Sequence, residues 1–118
     1  MCKINELKVQ EKVGTICNNP NSFMYALNKN LGRKDGKSIK CPYEKGDNDL
    51  YWLNCKDLQK FYLIPESVLI ENGFVGKDCN KLKLFVSPIN KNTSFTQEYL
   101  FDYTALDKEK FMKLITPA

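Results

Sequence analysis

The sequence predicts a small mixed α/β (α+β) sheet with a central β-hairpin and two flanking helices. Three observations predict it. The stretch Gly46 to Gly73 packs two apolar, aromatic-rich runs and a helical segment into fewer than thirty residues. Alternating apolar residues recur on both sides of that block, and the C-terminal stretch carries apolar residues at helical spacing. A chain of 118 residues supports one domain, residues 1–118, with a modest core.

Taken in order, Leu7–Val13 (LKVQEKV) alternates as a strand does. Leu7, Val9 and Val13 face one way, and Lys8, Gln10 and Lys12 face the other. Gln10 and Lys12 then project from one face roughly 7 Å apart along the strand. Gly14 and the Asn18-Asn19-Pro20-Asn21 cluster end the strand. Residues 22–27 (SFMYAL) alternate, which favours a strand, although Met24, Ala26 and Leu27 also suit a short helix capped by Asn21. Residues 29–45 read as a basic loop with turn signals at Leu31-Gly32 and Asp35-Gly36, the second able to turn a hairpin.

Leu50–Cys55 and residues 61–64 (FYLI) form the hairpin strands across the polar connection 56–60. Pro65 closes the second strand, because it lacks the N–H that a central ladder needs. Residues 66–72 then make two helical turns, with Glu66 suited to the helix start and Gly73 to a left-handed cap. Residues 81–86 (KLKLFV) alternate as a strand, 87–96 form a polar loop, and 98–103 are a short aromatic segment. Residues 106–115 form an amphipathic helix with Phe111, Leu114 and Ile115 turned inward, stopped by Thr116-Pro117. Trp52 and the aromatic residues beside it read as core packing ahead of ligand stacking.

Composition narrows the function. Apolar content of 42% and charged content of 27% suit a globular domain. No apolar run reaches membrane-spanning length, and the first residues lack a signal-peptide core, so no membrane role and an intracellular location are expected. The five cysteines, at 2, 17, 41, 55 and 79, include no close pair and read as free thiols. The chain has no histidine, which removes the commonest general base and the usual Ser-His and Cys-His pairs. Net charge is +4, concentrated at Lys29, Arg33, Lys34, Lys37, Lys40 and Lys45 against Asp35 and Glu44. Such a segment suits either contact with phosphates or simple solvation.

Read together, these stretches resemble a known family. A Q-x-K strand (Val9-Gln10-Glu11-Lys12-Val13) precedes a basic connection, then Gly46-Asp47-Asn48-Asp49-Leu50-Tyr51-Trp52, then Phe61-Tyr62-Leu63-Ile64-Pro65 entering a helix. This order resembles the second half of the PD-(D/E)XK restriction-endonuclease-like fold, over roughly residues 7–76. The resemblance implies that Gln10 sits on the metal side of a catalytic site and Lys12 on the water side. It implies Mg²⁺ as cofactor for an active nuclease, and nucleic acid, above all DNA, as partner. The family's upstream acidic motif has no counterpart here: six residues precede Leu7, and Glu6 is too close to serve. Asp47 and Asp49 are the acids able to substitute as metal ligands.

The expected function is therefore nucleic-acid binding by a truncated, degenerate endonuclease-like core, with the basic segment on phosphates. An active metal-dependent endonuclease is the first alternative. A protein-protein adaptor is the second, since uncovered sheet edges invite a partner or self-association into a homodimer.

Overall fold

The computed structural model describes residues 2–16, 22–55, 58–76, 83–87 and 95–116, without the side chains of 2, 3, 30–34 and 38–40. Its strands are β1 (Cys2–Ile4), β2 (Leu7–Val13), β3 (Thr15–Ile16), β4 (Phe23–Ala26), β5 (Asn28–Lys34), β6 (Lys37–Pro42), β7 (Leu50–Cys55), β8 (Lys60–Pro65), β9 (Lys83–Val86) and β10 (Leu100–Asp102). Its helices are α1 (Glu66–Glu71) and α2 (Lys108–Ile115), with a 3₁₀ turn at Phe95–Tyr99. The predicted mixed class holds, with its central hairpin and two helices.

The main sheet has five strands in the order β1-β2-β7-β8-β10. Strands β2 and β7 run parallel, with Gln10 beside Tyr51 and Lys12 beside Leu53. All other pairings in this sheet are antiparallel. A parallel pair needs a long crossover, and residues 14–49 supply it. Within that crossover lie β3 and β4, which form a second sheet with β9 in the order β3-β4-β9, and the separate hairpin β5–β6.

Several elements differ from expectation. Strand β1 was not anticipated; Asn5 and Glu6 both adopt positive φ, 51° and 70°, as a two-residue hairpin turn requires. The stretch read as a basic loop is a β-hairpin, turned at Asp35 (φ 54°) and Gly36 (φ 77°). Residues 22–27 take the strand option as β4, yet β4 and β9 form their own sheet. The aromatic segment 98–103 divides between the 3₁₀ turn and edge strand β10. Val13 is 63% exposed, so the inward face of β2 ends before it.

Both faces of the main sheet are covered. One side buries Tyr51, Leu53, Tyr62 and Ile64 against Phe23, Tyr25, Leu27, Tyr43 and Leu69. The other buries Val9, Leu50, Phe61 and Leu63 against Phe101 and Ile115, with Phe111 and Leu114 of α2 packed on them as expected. Asp107 caps α2 by accepting from the Lys110 N–H. Pro65 is the N-cap of α1, which ends in a Schellman motif: Phe74 N donates to Leu69 O, and Gly73 N, at φ 81°, donates to Ile70 O.

Candidate functional site

Strand alternation places Lys8, Gln10 and Lys12 on one face of β2, the face shared with Tyr51 and Leu53. All three side chains are partly buried. The Lys12 Nζ lies 5.2 Å from the ring centroid of Tyr43 and 3.5 Å from the carbonyl of Asn28. Asn28 opens β5 and Tyr43 follows β6, so Lys12 stands at the root of the basic hairpin. Among the described residues, Gln10 donates only a long 3.4 Å contact to the neighbouring Glu11 carbonyl. Gln10 and Lys12 thus share one face of β2, and Lys12 stands against the root of the basic arm.

The segment 43–49 that faces β2 is held by its acids. Asp47 Oδ2 accepts from Lys29 Nζ at 2.7 Å and from the Glu44 N–H at 2.9 Å. The Glu44 amide, then the Lys29 ammonium, hold its carboxyl below the usual carboxylate range. The same contact pushes the Lys29 ammonium up. Asp49 Oδ2 accepts from the Lys8 N–H at 2.8 Å, and its own N–H donates to the Lys8 carbonyl. Lys8 Nζ also donates to the Gly46 carbonyl.

Beneath this turn lies a residue whose role the sequence did not reveal. Glu66 is only 6% exposed. Its Oε1 accepts from Gly46 N at 2.6 Å; its Oε2 accepts from Asn48 N and from the Tyr51 hydroxyl, each at 3.1 Å. A carboxylate in this position ties the 46–49 turn to α1 and to the centre of the sheet. Burial pushes the Tyr51 phenol well above its ordinary value. The sequence signal was an acid directly after a strand-closing proline, which local helix-start chemistry already explained.

Lys45 and Lys37 are exposed. Arg33, Lys34 and Lys40 sit on the hairpin strands, Lys34 opposite Lys37 and Lys40 opposite Asn30, and their side chains lie outside the described residues. Cys55 is buried and Cys41 partly buried, both free thiols. Cys17 and Cys79, and the side chain of Cys2, lie outside the described residues.

A divalent metal requires oxygen ligands converging on one point. Among the described residues no group of three His, Cys, Asp or Glu converges in that way. One Asp47 oxygen is taken by a lysine and an amide, and one Asp49 oxygen by an amide. These residues, as placed, do not fit a Mg²⁺ site.

No protein-family model and no curated protein matches the chain. Among solved structures, the bacterial homing endonuclease I-Ssp6803I superposes with a TM-score of 0.63 at 16% identity, over 92% of this chain and 64% of that one. MepB superposes with a TM-score of 0.63 at 16% identity, over 85% of this chain and 74% of that one. The chain therefore spans just under two thirds of the homing endonuclease's length. At this identity the likeness is one of fold, and the fold is endonuclease-like. No helix among the described residues is long and apolar enough to cross a membrane.

Proposed function

We propose that this chain binds nucleic acid, DNA foremost, inside the cell, through the β5–β6 hairpin, on an endonuclease-like core that has lost its metal chemistry. One observation carries the reading: a basic hairpin rooted at Lys12, on a fold shared with a homing endonuclease. Arg33, Lys34, Lys37, Lys40 and Lys45 would contact phosphates, while Lys29 is committed to Asp47. Gln10 and Lys12 would be the remnant of a catalytic strand, with Lys12 now serving as a point charge beside the backbone.

The test is fluorescence anisotropy with labelled duplex DNA over a salt series. Five phosphate contacts give a log–log slope of about −4.5, and so roughly 500-fold weaker binding between 50 and 200 mM salt. Replacing Lys37 and Lys45 with alanine should lower the slope by about two. A flat salt response, or no binding at micromolar protein, overturns the reading. Mg²⁺-dependent nicking of plasmid DNA that Lys12→Ala abolishes would overturn the degenerate part of it and restore the active endonuclease.

A further inference from the structure

The sheet face opposite Gln10 and Lys12 carries a second constellation, independent of the nucleic-acid reading. A cavity of about 330 Å³ opens there, lined by Ile4, Val9, Glu11, Trp52 and Tyr103. Glu11 on β2 and Trp52 on β7 are register partners, so both project to this face. Phe61 of β8 stacks on the indole at 4.3 Å and 11°, and itself stacks on Phe101 at 5.1 Å. Phe111 meets the indole edge-on at 5.9 Å. These rings reach Trp52 from the β8 and α2 sides, whereas Val9 and Glu11 flank it from β2. The indole surface turned to β2 is therefore a wall of the cavity.

A chain of hydrogen bonds runs along the rim and ends on a carboxylate. Trp52 Nε1 donates to the Tyr103 hydroxyl at 3.0 Å and to Asn54 Oδ1 at 3.3 Å. The Tyr103 hydroxyl donates to Asn54 Oδ1 at 2.6 Å. Asn54 Nδ2 then donates to Glu11 Oε1 at 2.9 Å. Each donor of the rim is thus spent within the chain, and Glu11, exposed and lining the cavity, keeps a second carboxylate oxygen to which no group among the described residues donates. Among the described residues no cation lines the cavity. An occupant must therefore be flat, present N–H groups, and carry no phosphate near its ring. A volume near the lower end of ligand pockets, roughly 300–1,000 Å³, suits one small ring system.

We propose that this cavity binds a free amino-substituted nucleobase or its nucleoside, cytosine type first, stacked on Trp52 with its amino group on Glu11. A carboxylate accepting from the cytosine amino group is an established pairing, and aromatic side chains stack on any base. Uracil places a carbonyl oxygen where cytosine places its amino group and so meets the carboxylate unfavourably.

Trp52 is the only tryptophan in the chain, so it reports on the cavity directly. Cytidine should quench its fluorescence saturably and shift its indole N–H resonance. Uridine should bind about tenfold more weakly, because a carbonyl oxygen replaces the amino donor opposite the carboxylate. Cytidine monophosphate should bind more weakly than cytidine, through repulsion from Glu11. Glu11→Gln should lower cytidine affinity about tenfold while leaving the urea midpoint unchanged, since Glu11 is exposed. No saturable change with millimolar cytidine overturns the proposal. So does a cytidine-to-uridine preference that survives Glu11→Gln, or a monophosphate that binds tighter than the nucleoside. DNA binding through the hairpin is measured separately and can fail or succeed without touching these outcomes.

Discussion

Replacing Glu66 with alanine removes the anchor beneath the 46–49 turn, and its cost follows from three hydrogen bonds. Gly46 is an exposed residue and its bond to Glu66 is only part-buried, so water can replace that partner. The Asn48 N–H and the Tyr51 hydroxyl are buried; they lose a charged acceptor and gain none. A buried donor left unmade costs about 1–3 kcal/mol, and the lost side-chain packing adds to that. The sum is roughly 3–5 kcal/mol, a large part of the 5–15 kcal/mol that ordinarily separates folded from unfolded domains. Urea denaturation followed by Trp52 fluorescence measures it. With a slope near 1.5 kcal/mol/M, the midpoint should fall by roughly 2–3 M. Glu71→Ala, on an exposed position of the same helix, should stay within about 0.5 kcal/mol of wild type. A Glu66→Ala midpoint shift no larger than that of Glu71→Ala would refute the anchoring role.

Two further outcomes follow from the same geometry. Asp47 has its carboxyl held below its ordinary value in the folded state, so it binds protons there less readily than in the unfolded chain. Its contribution is full at neutral pH, begins to fade near the usual aspartate value of about 3.9, and is gone only below its own lower value. Denaturation midpoints of wild type and Asp47→Asn should accordingly differ at pH 6 and converge as pH falls below about 3.9; an equal difference at both ends refutes it. Gly14→Ala places a Cβ 2.8 Å from the buried Tyr25 ring, whose hydroxyl is fixed to the Asn54 carbonyl at 2.6 Å. That ring cannot yield freely, so thermal unfolding should show a loss of about 1–3 kcal/mol, and an unchanged melting temperature would count against the packing.

Much of the local structure was legible because its causes are local. Alternation drew β2 and β9, and apolar, aromatic-rich runs drew β7 and β8; Pro65 and Gly73 bounded α1; the spacing of Phe111, Leu114 and Ile115 placed the inner face of α2. The Asp35-Gly36 signal for a hairpin turn was present, yet the polar flanks of β5 and β6 carry no apolar alternation to announce strands. The tie of Lys8 to the 46–49 turn was not legible, because its contacts with Gly46 and Asp49 span some forty residues. Trp52 read as core, and one of its faces is; the other borders a cavity because Glu11 lies beside it across a parallel register.

Residue chemistry alone settled that any catalysis here would proceed without histidine, that cations cluster between two apolar strands, and that one face of β2 carries Gln10 with Lys12. Tertiary structure alone decided that β2 lies parallel to β7, that the cations ride on a hairpin rooted at Lys12, and that Glu66 is buried under a turn. The physical reason is range. Propensity, alternation and caps act within a few residues, whereas strand pairing and burial join residues forty positions apart, through contacts that no short stretch of chain contains.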